Sequence, residues 1–161
     1  MQSKGDLEEW YETPDPWGYE TNPDDLRRKE EILKSIPKEH YKRALDIGCG
    51  EGWITQDLPA EEVHGLELSE IATKRFPENI TPVTEPIGKY DLVLATGVLY
   101  SQYNRQQIID WVLECATGTL VIAGISDWLV NLEVFGKPLS RSGFKYRDYV
   151  QEVRVYDRSI S

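Results

Sequence analysis

A glycine-rich turn and an acid that follows it are the residues in this sequence best suited to chemistry. The turn reads Leu-Asp-Ile-Gly-Cys-Gly-Glu-Gly over residues 45–52, and Glu67 follows Asp46 by 21 residues. Glycines permit a tight turn and let a ligand approach the backbone closely. An acid at this spacing is typical of one that accepts hydrogen bonds from a ribose diol. The pattern therefore predicts a site for a nucleoside-bearing cofactor.

The residues around the turn discriminate between cofactor classes. A dinucleotide site typically has a third glycine, which lets the following helix pack closely against the strand. This chain has Trp53 at that position, and Glu51 places a negative charge where a pyrophosphate would meet the helix N-terminus. Both residues disfavour NAD, which stays as a minor alternative. Acids on both sides of the turn, Asp46 and Glu51, suit a cationic ligand.

Short apolar segments that alternate with helical patterns surround the turn. Strands are predicted at residues 43–48, 62–68, 80–83, 90–96, 119–124, 144–149 and 153–156, and helices at 23–36, 52–58, 69–76, 104–116 and 127–135. Buried strands that alternate with helices imply a parallel sheet covered on both faces. The last two strands are joined by a short connection, so the final strand should be antiparallel. We predict an α/β protein, a Rossmann-like three-layer sandwich with a mostly parallel seven-stranded sheet and an antiparallel final strand.

The first 22 residues are acidic, aromatic and rich in proline, unlike the rest of the chain. Repeated prolines and a glycine oppose both helix and central strand. Because exposed aromatic surface is unfavourable in water, we expect this arm to fold back onto the protein. We therefore predict an arm over residues 1–22, a possible lid over the cofactor, and a single domain over residues 23–161.

The composition excludes several classes of partner. The 161 residues carry a net charge of -10, whereas a protein that tracks a phosphate backbone carries a basic surface. The negative charge therefore leads us to expect no nucleic-acid partner. We also expect no membrane association, because no apolar run approaches the roughly 18–20 residues of a membrane span. No apolar segment follows the N-terminal residues, and Cys49 and Cys115 lack metal-site spacing. We therefore expect a cytoplasmic protein that binds no metal.

Five segments, in order, resemble the class I S-adenosylmethionine (SAM) dependent methyltransferases. The turn at residues 45–52 is similar to motif I of that family, and Glu67 to the ribose-binding acid of motif II. Residues 89–100, 118–122 and 142–144 resemble the fourth strand, the fifth strand and the start of the final strand pair, so that the resemblance covers about residues 42–158.

A narrower resemblance involves the arm. Residues 15–20 (Asp-Pro-Trp-Gly-Tyr-Glu) and the Val-Leu-Tyr after the fourth strand resemble the nodulation-type N-methyltransferases of chitin oligosaccharides and related sugar-methylating enzymes. The chain departs from them at Gly97, where many relatives carry Glu.

The resemblance implies SAM as cofactor and S-adenosylhomocysteine (SAH) as product. The candidate cofactor-binding residues are Trp17, Tyr19, Arg28, Asp46, Gly48, Cys49, Gly50, Glu51, Glu67, Leu68, Thr84, Glu85, Thr96 and Gly97. In this interpretation the glycine turn lines the methionine part, Glu67 binds the ribose and Leu68 packs on the adenine. Thr84 and Glu85 lie near the adenine amine, and the two residues after the fourth strand flank the methyl group.

The arm and the following helix supply the candidate lid. An arginine pairs naturally with a carboxylate, which makes Arg28 a candidate for the amino-acid end of SAM. Trp17 and Tyr19 are candidates for covering it. The alternative is that the arm merely packs and that Arg28 is a surface residue.

Methyl transfer requires alignment more than acid–base chemistry. A base helps where the acceptor is a hydroxyl or an ammonium group, and the candidates are Tyr100, Tyr103 and Asp127, the last of which also suits a helix cap. We predict a methyltransferase acting on an oxygen or nitrogen of a small-molecule or carbohydrate acceptor. The alternative is a non-catalytic SAM-binding or interaction module, suggested by Gly97 and a short substrate region. The oligomeric state stays open.

Overall fold

The computed structural model describes residues 4–16, 18, 19, 21–99 and 104–159. The helices are α1 (Lys4–Trp10), α2 (Pro23–Ser35), α3 (Glu70–Thr73) and α4 (Arg105–Cys115). The strands are β1 (Tyr41–Ile47), β2 (Ala60–Leu66), β3 (Ile80–Val83), β4 (Tyr90–Thr96), β5 (Ala116–Ile125), β6 (Ser140–Tyr146) and β7 (Tyr149–Asp157). Short 3-10 turns lie at Thr55–Asp57, Ser126–Trp128 and Glu133–Phe135.

The seven strands form one sheet in the order β3-β2-β1-β4-β5-β7-β6. The pairs among β1 to β5 are parallel, and β7 is antiparallel to both of its neighbours. Alternate residues of each central strand face opposite sides. Leu45 and Val93 pack in the cluster that contains Val112 of α4, and Ala44 packs with Ile32 of α2 on the other side. The predicted three-layer fold with an antiparallel final strand is confirmed.

Side-chain caps fix where the helices begin. Asn22 accepts a hydrogen bond from the backbone N–H of Asp24 at the start of α2. The side chain of Ser69 accepts from Ala72 in α3, and Asn104 accepts from Gln107 in α4. Each cap satisfies a backbone donor that the helix itself leaves unpaired. The α3 helix ends at Thr73, earlier than the predicted residue 76.

Two predicted helices are wrong. Residues 52–58 form turns and one 3-10 turn. Residues 127–135 form two separate 3-10 turns, because Asn131 has a φ of 57° and interrupts the helical backbone. The apolar residues Leu129, Leu132 and Phe135 still reach the core, at a spacing of three rather than along a helical stripe. An apolar run alone therefore did not specify an α-helix here.

The prediction that the arm lacks a helix is also wrong, because α1 occupies Lys4–Trp10. The prolines responsible for that prediction begin only at Pro14, after the helix has ended. Leu7 and Tyr11 are buried against Ala72 of α3, so the arm lies on the sheet domain. None of the helices in the described part of the chain combines the length and apolar composition needed to cross a membrane.

Candidate functional site

Three parallel strands end side by side at one edge of the sheet. Ile47 at the end of β1 pairs with Leu66 of β2 and with Ala95 of β4. The strand order reverses between β1 and β4, which is where open α/β sheets bind their ligands. The glycine turn, Glu67 and Gly97 each follow one of these ends, so the sequence brings them to one edge.

The glycine turn is held in a conformation that only glycine adopts without strain. Gly48 and Gly50 have φ values of 70° and 60°. The N–H of Gly48 donates to the carbonyl of Leu66 at 2.8 Å, and a Cβ on Gly48 would lie 2.3 Å from Cγ1 of Val98. Burial raises the pKa of the Cys49 thiol well above its usual range, so the contribution of this residue comes from its backbone.

Glu67 is buried just past the end of β2. Its Oε1 accepts from the N–H of Gly50 at 3.0 Å and its Oε2 accepts from the N–H of Ser69 at 2.9 Å. Burial raises its pKa, and these backbone hydrogen bonds oppose the shift. Each carboxylate oxygen has a second acceptor position, so the side chain is fixed in place and still able to accept two further donors.

Asp46 is a buried carboxylate with one unsatisfied oxygen. Its Oδ2 accepts from the hydroxyl of Thr55 at 2.8 Å, whereas Oδ1 is buried and has no hydrogen-bond partner within the described residues. Burial raises the pKa of Asp46 to about 7, and the Thr55 hydrogen bond and the charge of Arg28 oppose the shift. A buried acceptor without a donor is costly, so this oxygen is a candidate contact for a ligand donor.

Arg28 on α2 lies close to this carboxylate and is itself mostly buried. Its guanidinium is 5.3 Å from the centre of the Tyr19 ring, and its Nε is 3.9 Å from Oδ1 of Asp25. The Tyr19 ring stacks on Trp53 with the ring centres 5.3 Å apart. Tyr19 therefore holds a position between α2 and the glycine turn. Trp17, the other aromatic candidate, lies outside the described residues.

The arm is anchored to the glycine turn by a carboxylate. Oε1 of Glu51 accepts from the backbone N–H of Asp15 at 2.7 Å, and Oε2 pairs with Arg75 at 2.9 Å. Arg75 also donates to the carbonyl of Glu12 at 3.3 Å. A Cβ on Gly50 would lie 2.9 Å from the hydroxyl oxygen of Tyr11. The Glu51 side chain thus binds the arm, a role that the sequence did not suggest.

A cleft of about 360 Å³ lies beside Glu67 and contains four of the predicted residues. Its lining includes Glu67, Leu68, Thr84, Glu85 and Lys4 of α1. The volume falls within the range of small-molecule sites. Leu68 is nearly half exposed there, which leaves an apolar side chain available to a ligand.

No family model and no curated protein matches the sequence. The N-methyltransferase NodS from Bradyrhizobium japonicum WM9, solved in complex with SAH, is 19% identical, with a TM-score of 0.80 over 96% of this chain and 97% of that chain. The magnesium protoporphyrin IX methyltransferase ChlM from Synechocystis PCC 6803, solved with bound SAM, is 15% identical, with a TM-score of 0.71 over 99% and 98%. This chain has the class I methyltransferase fold. The cyclase SpnF matches the same fold at 11% identity, with a TM-score of 0.68 over 85% and 82%, so the methyltransferase fold does not by itself name the reaction.

Three of the remaining candidates, Thr96, Gly97 and Asp127, lie along the other half of the same edge, where β4 and β5 end. Thr96 ends β4 and is half-buried, and the N–H of Gly97 donates to the carbonyl of Ala123 in β5 at 2.9 Å. Asp127 is exposed in the 3-10 turn that follows β5. Tyr100 and Tyr103 lie outside the described residues.

Sequence reasoning missed several polar residues of this site. Thr55 binds Asp46, Arg75 binds Glu51, and Asp25 lies beside Arg28. None belongs to a motif, and Thr55 and Arg75 meet their partners only through the fold, whereas Asp25 and Arg28 are one helical turn apart on α2. Within the described ranges, no group of three His, Cys, Asp or Glu side chains is arranged to hold a metal ion.

Proposed function

We propose that this chain is a SAM-dependent methyltransferase whose acceptor is an oxygen or nitrogen of a small molecule or carbohydrate. The observation that carries the proposal is the buried Oδ1 of Asp46, two residues before Gly48, which has no hydrogen-bond partner in the part of the chain that the structure describes. SAM carries an ammonium group and a positively charged sulfur, which suit a buried carboxylate. A dinucleotide would instead bring a pyrophosphate to a turn that is flanked by Asp46 and Glu51.

The nucleoside half of SAM fits the cleft beside β2. The two oxygens of Glu67 are fixed by backbone donors and accept the two ribose hydroxyls. The exposed side of Leu68 packs on the adenine, and Thr84 and Glu85 line the same cleft. The cofactor is thus recognised by a preset carboxylate and an apolar surface.

The amino-acid half of SAM lies at the glycine turn. Asp46 binds the ammonium group and Arg28 binds the carboxylate, so each ligand charge meets its opposite. The backbone of Gly48, Cys49 and Gly50 approaches the ligand closely because two of these residues lack a Cβ. The arm acts as a lid, which Glu51 and Arg75 hold against the turn.

The chain contributes alignment to the reaction. SAM, when bound, supplies a methyl group activated by positively charged sulfur. Thr96 and Gly97 flank that methyl group at the end of β4, and the site holds the acceptor atom in line with it. Asp127, Tyr100 and Tyr103 are the candidates for accepting a proton from an acceptor hydroxyl or ammonium.

The acceptor class is supported by an aromatic pair on the second half of the edge. Trp128 and Tyr149 lie with ring centres 6.3 Å apart, and both are more than one-third exposed. Aromatic faces suit the apolar face of a sugar or another flat molecule. The likeness to NodS, an N-methyltransferase, supports nitrogen as the acceptor atom.

A second candidate function is a non-catalytic SAM-binding module. It is favoured by Gly97, which places no carboxylate directly after β4. This candidate shares the cofactor site with the main proposal. It differs only in having no acceptor.

The test is SAH release by the purified chain, incubated with SAM and separate pools of small molecules and oligosaccharides. We expect SAH to form with at least one pool, and Glu67→Ala to remove that signal. SAM binding without SAH from any pool would favour the non-catalytic module. Absence of both binding and release would contradict both candidates.

A further inference from the structure

A buried carboxylate at the start of α2 binds the turn between β6 and β7. Asp25 is fully buried. Its Oδ1 accepts from the hydroxyl of Tyr146 at 2.5 Å, and its Oδ2 accepts from Nη2 of Arg147 at 2.7 Å. The backbone N–H of Arg147 also donates to Oδ2 of Asp24 at 3.0 Å. Each oxygen of Asp25 therefore accepts a hydrogen bond from a strand turn that lies more than 120 residues away in sequence.

This arrangement keeps a second cation, Arg28, at a distance. Nε of Arg28 lies 3.9 Å from Oδ1 of Asp25, too far for a hydrogen bond. Charge attracts Arg28 toward Asp25, but Arg147 already neutralises that carboxylate and Tyr146 hydrogen-bonds the oxygen nearest Arg28. The guanidinium stays beside the Tyr19 ring and close enough to Asp46 for its charge to act on that carboxyl.

We propose that Tyr146 and Arg147 are positioning residues that neutralise and hydrogen-bond Asp25 and so keep Arg28 available for the carboxylate of the cofactor. This inference rests on the proposed function, in which Arg28 binds that carboxylate. If either hairpin donor is lost, a buried oxygen of Asp25 loses its partner. Arg28, one helical turn away, then moves onto that oxygen, because an unpaired buried carboxylate is strongly unfavourable. The strand turn thereby controls how the cofactor's amino-acid end is bound.

The test compares two ligands that differ only at the amino-acid end of the cofactor. SAH carries the amino-acid carboxylate, whereas 5′-methylthioadenosine has the same nucleoside without the amino acid. We expect Tyr146→Phe and Arg147→Met each to weaken SAH binding by about tenfold in calorimetry, the size of one charge-assisted hydrogen bond. Binding of 5′-methylthioadenosine should stay within about twofold, because its contacts lie at Glu67 and the cleft.

The decisive variant removes the negative charge of Asp25, which competes with the cofactor carboxylate for Arg28. Adding Asp25→Asn to Tyr146→Phe should restore SAH affinity, because a neutral amide does not capture Arg28. A purely structural role for the hairpin would instead make the double variant bind more weakly still. Arg147→Lys, which retains a charged donor, should bind SAH as the unmodified protein does.

The matched control is Arg141→Met on the same hairpin. Arg141 pairs with Glu152 at 2.6 Å and, within the described residues, makes no hydrogen bond or ion pair with α2, so both ligands should bind normally. Equal weakening of both ligands by Tyr146→Phe, or no rescue by Asp25→Asn, would overturn the inference. Absence of SAH binding by the unmodified protein would overturn the proposed function itself, whereas normal binding by both hairpin variants would overturn only the inference.

Discussion

The two halves of the ligand-binding edge, one at the ends of β1 and β2 and the other beyond the end of β5, differ in the side chains that they present. At the ends of β1 and β2, the polar groups are buried carboxylates held by nearby donors, as Asp46 is by Thr55 and Glu67 by two backbone N–H groups. Beyond β5, the edge instead exposes apolar side chains, among them Trp128, Val130, Tyr149 and Val150.

This difference assigns a different kind of recognition to each half. A preset carboxylate selects ligand groups by charge and hydrogen-bond geometry, and it need not move on binding. Exposed apolar side chains contribute binding free energy mainly through burial of their surface, and this contribution tolerates ligands of differing shape. The first half therefore suits an invariant cofactor and the second an acceptor, and substitutions in each half should affect different measurements.

The largest loss of stability should follow Gly48→Ala in the first half. The added Cβ meets Val98 at 2.3 Å on a backbone with φ of 70°, so we expect a loss of roughly 2–4 kcal/mol. The matched control is Gly18→Ala, which has φ of 68° and open space around the added atom. Unfolding curves in denaturant should show a smaller loss in the free energy of unfolding for Gly18→Ala than for Gly48→Ala. Equal losses would mean that the contact with Val98 does not constrain the turn.

Asp46→Asn should stabilise the ligand-free protein and weaken cofactor binding. Burial raises the pKa of Asp46 in the folded state to about 7, whereas an unfolded aspartate titrates near 3.9, as a typical value. Between these values the folded state binds more protons, so this carboxyl lowers stability as pH rises from about 4 to 7. Asparagine removes that penalty.

Thermal melts at pH 5 and pH 8 measure this effect. We expect Asp46→Asn to raise the melting temperature more at pH 8 than at pH 5, and SAH affinity of the unmodified protein to rise over the same range. A melting temperature for the variant that is lower at pH 8 than that of the unmodified protein would contradict the assignment of Asp46 as a destabilising buried carboxylate.

Glu67→Ala should reduce cofactor affinity, and it also leaves the N–H groups of Gly50 and Ser69 without their carboxylate acceptor. In the proposed site it removes the acceptors for two ribose hydroxyls, so we expect a loss of roughly 1–3 kcal/mol in SAH binding. Glu61→Ala, which removes an exposed carboxylate near the start of β2, at the opposite end of that strand, is the control and should bind normally. Unchanged affinity in Glu67→Ala, measured by calorimetry, would show that the ribose assignment is wrong.

The smallest effect on stability should follow Trp128→Ala in the second half. The side chain is partly exposed and contacts Tyr149, so we expect a change of about 1 kcal/mol or less. SAH binding should be unchanged. With an identified acceptor, the KM of the variant for that acceptor should be higher than the KM of the unmodified protein. A loss of SAH affinity in this variant would remove the distinction between the two halves.

The contrast between the halves also explains what the sequence could predict. The strands at residues 80–83 and 90–96 have the predicted bounds, and the glycine turn and Glu67 lie at neighbouring strand ends as expected. Both depend on local patterns, namely apolar runs, turn glycines and a fixed spacing. These signals are read directly along the chain.

The features that were missed depend on contacts between distant residues. Asp25 meets Tyr146 across 121 positions, and Glu51 meets Arg75 across 24. The predicted helix at residues 127–135 fails because the apolar residues there reach the core without a helical backbone. Packing between elements therefore decided these regions, and a single sequence does not show it.

The cofactor assignment is tested most directly by thermal melts of the purified chain with SAM, SAH and NAD in parallel. A ligand at about 100 times its dissociation constant stabilises the folded state by roughly 2.7 kcal/mol. For a domain of this size the shift is about 5–10 °C. We predict this shift with SAM and SAH and none with NAD. A shift with NAD alone, or with none of the three ligands, would contradict the account.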